Sequence, residues 1–224
     1  MRWLAIDTSG GSTVGVVEAP DGGALVELSS YVSPDPRGHV EALTPMIEQA
    51  LAEAEVAPGQ LSAVVVGTGP APFTGLRVGI ASAIAFARGA GCDVRGVCSL
   101  DAIAWGTNGS VVVTTDARRR EVYWAAYAGG LGPADEDWRE HGPAVGPPSD
   151  VTDWLAGHRG RAIGPGTALY PDLASEGGEE ATVTPMGLVA VACARMRVGA
   201  PTPLTPLYLR RPDVHVGTGR KRAT

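Results

Sequence analysis

Asp7-Thr8-Ser9 closes the apolar run Leu4-Ala5-Ile6, and a side-chain carboxylate followed by two hydroxyls at that place can satisfy the backbone N–H groups of a turn. Residues 67–79, GTGPAPFTGLRVG, form a Gly/Pro connection fed by the valine-rich run 63–66 and left by an apolar helix pattern. Gly67, Gly69 and Gly75 suit positive φ or close backbone approach. Two readings fit this loop: a tight strand-to-helix turn, or a phosphate cradle of backbone N–H groups at a helix N-terminus, with Thr74 and Gly75 beside the anion. Neither a Gly-Lys-Ser/Thr ending nor GxGxxG spacing is present.

His39 and Glu41 invite a metal hypothesis, since residues i and i+4 share a helix face. The position four after His39 is Leu43, however, and His141, His158 and His215 add no matching spacing, so no metal site is expected. Ser9, Ser12 and Ser99 lie in no GxSxG elbow, and no catalytic residue is assigned. Asp116 to Tyr123 reads DARRREVY. Its three arginines are open to two readings, an anion or tRNA contact or a hairpin turn with internal ion pairs of about 0–1 kcal/mol each, and the second is favoured.

These residues need positioning by an α/β framework. Residues 2–7, 13–18 and 25–32 read as three strands of a meander. Residues 39–54 place Val40, Leu43, Ile47, Leu51 and Ala54 at helical spacing; either that helix kinks at Pro45, or Thr44 caps a start with Pro45 at the first position. After a strand at 63–67, residues 76–87 are helical in length and apolar nearly all round, relieved only by Arg77 and Ser82. Such a helix is buried on more than one face: it can pack on the sheet, and its far side then needs another cover, the helix from His39, a partner chain, or both. A strand at 94–97 and a helix at 100–105 complete the first half. Beyond a hinge at 106–109 the strand-led pattern restarts with 111–115 and 122–128, which suggests a duplicated domain pair. Residues 129–166 are rich in Gly, Pro and charge and are hard to order; 161–164 reads as a strand and 187–197 as a helix.

The 224 residues suffice for one large domain or two small ones sharing a long sheet. With 44% hydrophobic residues and mean hydropathy near zero the chain reads as globular. Without a basic leader followed by a long apolar stretch, a cytoplasmic protein with no membrane segment is expected. Cys92, Cys98 and Cys193 show no CxxC spacing and read as reduced thiols. A net charge of −6 argues against RNA binding over the whole surface. From Arg210 onward five basic residues face Asp213 alone, +4 against −10 for the remainder; a solvated, disordered tail is the favoured reading and a weak phosphate contact the other.

In order and spacing, LAIDTS, His39 with Glu41 and Pro45, the loop at 67–79, DARRREVY and the closing PLYLR at 206–210 together resemble the TsaB (YeaZ) family. The resemblance is close over about residues 1–127 and thins thereafter. It implies duplicated actin-like, sugar-kinase-like (ASKHA) α/β domains with mixed sheets, the second half reduced: an N-terminal half at 1–105, a C-terminal half at 106–210 and a basic, disordered tail at 211–224. It also implies a non-catalytic dimerisation subunit that binds and activates TsaD for N6-threonylcarbamoyladenosine formation in tRNAs reading codons that start with A. TsaE is a further partner, tRNA is met through the complex, and a homodimer is possible when the chain is alone. ATP and metal are expected in the partner subunits and no cofactor in this one.

By the same resemblance Val40, Leu43, Ile47, Leu76, Ile80, Ala83, Ile84 and Ala87 lie near a four-helix contact with TsaD. Asp7 sits where related folds place an acid near magnesium and phosphate, and Thr8, Gly67, Gly69, Thr74 and Gly75 are the further candidates for nucleotide or phosphate proximity. Satisfying turn groups remains the favoured role of Asp7 and Thr8. Ala71 and Pro72 replace the Gly and Ser usual in the family's GPGSFTGLR, which removes a flexible residue, a hydroxyl and a backbone donor. The alternative is a nucleotide-dependent transferase or metallopeptidase-like enzyme of the same superfamily.

Overall fold

A computed structural model describes residues 1–33, 39–173 and 181–210, and only the backbone of 39–41. The first sheet is built on β1 (Arg2–Asp7), whose Trp3, Leu4, Ala5 and Ile6 are all buried, the mark of a strand covered on both faces. β2 (Ser12–Glu18) runs antiparallel to it and β3 (Val26–Ser33) antiparallel to β2. On the other side β4 (Ala63–Gly67) and β5 (Asp93–Val97) add in parallel, giving the order β3-β2-β1-β4-β5.

Alternate residues of β1 and β4 feed two separate cores. Leu4, Ile6, Val64 and Val66 face α1 (His39–Glu53) and α2 (Phe73–Ala90). Trp3, Ala5, Ala63 and Val65 face α3 (Ser99–Ala104) and α6 (Pro185–Arg197). α1 starts at His39 and runs through Pro45, so the alternative start at Thr44 is not adopted. α2 starts three residues before its apolar stripe because Phe73-Thr74-Gly75 make its first turn, and it ends at Gly91, whose φ of 72° and N–H bond to Ala87 O form a left-handed cap. Where β2 and β3 shift register between Val16 and Val17, Ser29 Oγ accepts from Val16 N and donates to Ala50 O of α1, fastening helix to sheet.

The second sheet repeats the first with fewer strands. β6 (Val111–Asp116) and β7 (Val122–Tyr127) form a hairpin, β8 (Arg139–Gly146) follows antiparallel, and β9 (Arg161–Ile163) pairs with β6 in parallel, giving β8-β7-β6-β9. Its outer face is closed by α4 (Pro148–Gly157) through Val151, with Leu173 alongside. A short helix, α5 (Pro165–Leu169), follows β9. β8 and α4 each bury a single residue, Gly146 and Val151, so neither carries an apolar period in the sequence.

Val113, Ala125, Tyr127 and Ile163 of the second sheet join the core that holds α3 and α6, so this helix pair forms the layer between the sheets. The chain then returns to the first lobe: Gly96 N donates to Thr202 O and Leu207 N to Thr68 O. A Cβ on Gly96 would stand 2.1 Å from Pro203 O, so this closure needs glycine there. No helix among the described residues is long and apolar enough to cross a membrane.

One buried charge ties the layers. Asp101 of α3, fully buried, accepts from Tyr127 Oη at 2.8 Å on β7, from Arg139 Nε at 2.9 Å on β8 and from Arg195 Nη2 at 2.7 Å on α6. Burial, with Asp101 nearby, pushes the Tyr127 hydroxyl well above its ordinary range and the neighbouring Cys98 thiol up to about 12. Both groups are therefore neutral hydrogen-bonding or packing groups at physiological pH. Removing Asp101 strands two guanidinium groups. Asp101→Ala is expected to cost about 3–5 kcal/mol, read as a lowered urea midpoint, with Asp101→Asn losing less.

Candidate functional site

Between the lobes lies a cleft of about 500 Å³. The β1–β2 turn at Ser9, Gly10 and Gly11 forms one wall, the first turn of α2 another, and the end of β6 with Arg118 the wall from the second lobe.

Asp7, at the cleft, is 2% exposed, and both its oxygens accept from the chain. Oδ1 takes Ser9 N at 2.8 Å and Ser9 Oγ at 2.6 Å; Oδ2 takes Ser99 Oγ at 2.5 Å. Thr8 Oγ1 donates to Gly75 O at 2.9 Å and so pins the strand end to the first turn of α2. The bonds from Ser9 to Asp7 are the turn-closing role read from the sequence, whereas Thr8 and the second oxygen of Asp7 find partners outside that turn. Gly67 and Gly69 are not part of the cleft lining. Gly67 lies behind Asp7, where a Cβ would stand 1.7 Å from Oδ2. Gly69, at φ 86°, donates its N–H to Ser99 Oγ at 3.2 Å, while its carbonyl accepts from Ser99 N at 2.8 Å. Ser99 thus joins Asp7 to the loop, a role that no local motif signals. Thr74 and Gly75 do line the cleft, and no side chain caps the start of α2 because Pro72 occupies that position.

Across the cleft Asp116 to Glu121 is a hairpin with internal pairs. Arg118 N donates to Asp116 Oδ1 at 2.8 Å and its guanidinium lies 3.5 Å from Oδ2; Arg210 pairs with Glu121 and also donates to Ala117 O at 2.8 Å. Tyr208 packs on Phe73 at 4.6 Å and its hydroxyl accepts from Arg77 Nε at 2.7 Å. The segment around PLYLR therefore bridges the two walls of the cleft. Among the described residues no group of three or more His, Cys, Asp or Glu is placed to hold a metal ion.

The residues expected at a helical contact need correction. Leu43, Ile47, Leu76, Ile80, Ala83 and Ala87 are buried, 7% exposed at most, within the chain's own core against β1, β2 and β4. An apolar stripe on a helix that is apolar nearly all round marks a buried face without saying what buries it, and here the sheet does. Ile84 is half-buried, and the Val40 side chain lies outside the described residues, as does the tail at 211–224. The outward face of α2 consists of Thr74, Arg77, Ala81, Ala85 and Arg88, flanked by half-buried Val78, Ser82 and Ile84.

A family model described as "TsaD: tRNA N6-adenosine threonylcarbamoyltransferase" matches residues 32–139. An uncharacterised protein of Mycobacterium leprae is 47% identical over 218 residues, which cover 94% of this chain but 55% of that protein. The tRNA threonylcarbamoyladenosine biosynthesis protein TsaB of Escherichia coli (strain K12) is 31% identical over 229 residues, covering 94% of this chain and 95% of that one. The solved structure of YeaZ from Pseudomonas aeruginosa superposes with a TM-score of 0.71 at 26% identity, covering 93% of this chain and 99% of that one. The paired mixed sheets are those of the duplicated actin-like fold, with the second half reduced.

The close fit of Gly67 behind Asp7 is directly testable. Gly67→Ala is expected to lower the unfolding free energy by about 1–3 kcal/mol, measured by chemical denaturation, since the new methyl group must displace the carboxylate. Gly10→Ala, with nothing within 4 Å of the added carbon, serves as the neutral comparison.

Proposed function

Because the chain belongs to the TsaB family, we propose that it serves tRNA threonylcarbamoyladenosine biosynthesis as a scaffold subunit that binds and activates TsaD and has no catalytic site of its own. The observation that carries this reading is the outward face of α2. With its large apolar residues turned onto the sheet, the helix presents Ala81, Ser82 and Ala85 on the other side, a shallow surface that a second helix can approach closely. Val78 and Ile84 at its margins supply apolar area, and the outward face of α1, with Thr44, Glu48, Gln49 and Ala52, lies alongside.

The state of Asp7 supports the same reading. An acid that holds a metal or activates a nucleophile needs oxygens directed at the ligand, whereas those of Asp7 accept from Ser9 and Ser99. In this account metal, adenylate and transfer chemistry belong to TsaD, ATP hydrolysis to TsaE, and tRNA is met by the assembled complex. Alone, the chain uses the same helical face for a homodimer.

Light scattering of the chain mixed with TsaD of its own organism tests the proposal. A heterodimer is expected, weakened at least tenfold, or by about 1.4 kcal/mol, in Ala81→Glu/Ala85→Glu, with the circular dichroism spectrum unchanged. A chain indifferent to TsaD, together with ATP hydrolysis by the isolated chain that Asp7→Ala abolishes, would replace the scaffold with an independent enzyme.

A further inference from the structure

Arg77 stands where the stability of its helix does not call for a cation. Positive side chains are favoured at the C-terminal end of a helix and disfavoured near the N-terminal end, and Arg88 in the last turn of α2 follows that rule. The side chain of Arg77 instead leans back along the helix, as helical side chains do, and its guanidinium carbon lies 3.5 Å from the centre of the ring of Phe73, the first residue of α2. No acid stands in that first turn, and among the described residues Arg77 forms no ion pair.

Arg77 is exposed, yet its side chain is held. Its Nε donates to Tyr208 Oη at 2.7 Å, from 131 residues away in the chain, and the Tyr208 ring lies 5.5 Å from the guanidinium and 4.6 Å from the Phe73 ring. Tyr208 is fixed in turn by its neighbours: Leu207 N donates to Thr68 O at 2.9 Å, and Arg210 donates to Ala117 O at 2.8 Å. A neutral long side chain would cover Phe73 equally well, so packing of the C-terminal segment accounts for the rings but not for the charge. With Nε engaged, the two Nη groups have no partner among the described residues. Their shared edge is one with which arginine meets a carboxylate in two parallel hydrogen bonds.

We propose that Arg77, held by Phe73 and Tyr208, is the recognition point of the docking face on α2 and receives a carboxylate from the partner protein. This rests on the reading of that face as the TsaD-binding surface. Arg77, Ala81, Ala85 and Arg88 make one stripe along the helix, with the two arginines about 16 Å apart at the ends of its shallow middle. A partner helix seated on Ala81 and Ala85 meets a cation at each end, and only Arg77 is fixed in advance. A guanidinium already held loses less freedom on binding than a mobile one, and interface energy concentrates on arginine and tyrosine. Arg77 therefore gives affinity and register, Arg88, solvated, gives little, and Tyr208 is a positioning residue.

The test is calorimetric measurement of TsaD affinity across variants of the full chain. Arg77→Gln is expected to weaken binding about tenfold, and Arg88→Gln, with the same loss of charge on the same stripe, less than about threefold. Tyr208→Phe keeps the ring and removes the acceptor. It is expected to bind about threefold more weakly, with no further loss when combined with Arg77→Gln, because its effect passes through that side chain. Arg77→Lys keeps the charge but not the planar fork and is also expected to bind about threefold more weakly, which preserves the test should Arg77→Gln fold poorly. Binding lost in Arg77→Glu should return with a single acid-to-lysine change in TsaD. Arg77→Gln and Arg77→Lys that bind as tightly as the natural chain overturn the proposal while leaving the scaffold in place. Loss of the chain's own dimer in Arg77→Gln, with TsaD affinity unchanged, assigns the held guanidinium to a second copy and overturns it as well. A natural chain that does not bind TsaD removes the scaffold reading and this one with it.

Discussion

The structure depends on β1 and β4 being apolar on both faces. Two parallel strands with no polar side can persist only inside a sandwich, so helices must lie above and below them. One pair, α1 and α2, is turned entirely to this task and has solvent behind it. The other, α3 and α6, covers the opposite face and is itself covered by the second sheet. The division into an outer helical surface and an inter-lobe layer follows from which residues of β1 and β4 point which way. Asp101 then fixes the inner layer through one carboxylate shared by elements on both sides, a contact that apolar packing alone would leave free to slide.

The cleft is a product of the same arrangement. Where strand ends of two like lobes meet, a concavity forms whether or not it retains chemistry, and here the acid at its floor is committed to the protein. Ser9 and Ser99 occupy its oxygens, Gly67 admits it to the strand behind, and Thr8 fastens the adjoining backbone to α2. Cleft and helical face therefore divide between different demands. The floor is internally satisfied, while the outward face of α2 is shallow at Ala81 and Ala85 between the exposed Arg77 and Arg88.

Much of this was legible in the sequence because burial on two faces leaves an unbroken apolar run, and every strand of the first sheet lies within a residue or so of where the pattern places it. The repeat after Gly109 was legible for the same reason. β8 and α4 were not, since each buries one residue and so carries no period. The role of Asp7 in its turn followed from its type and place, but Ser99 as its partner did not, being 92 residues away. The helical contact shows the limit most clearly. The sequence shows that the helix buries more than one face but not which residues meet the sheet, and the fold turns Ile80 and Ala83, expected near a partner contact, onto the chain's own sheet. The hairpin turn at 116–121 was read, but the positive φ of Arg118 to Arg120 was hidden, because arginine does not signal that conformation.

Hydrogen exchange of the chain with and without TsaD bears most directly on the claim that the outer helical face is where this protein works. The account predicts slowed exchange confined to α1 and α2, with the cleft hairpin at 116–121 unchanged. Protection of the β1–β2 turn and the hairpin at 116–121, with α1 and the outward face of α2 unaffected, would contradict it and move the functional surface to the space between the lobes.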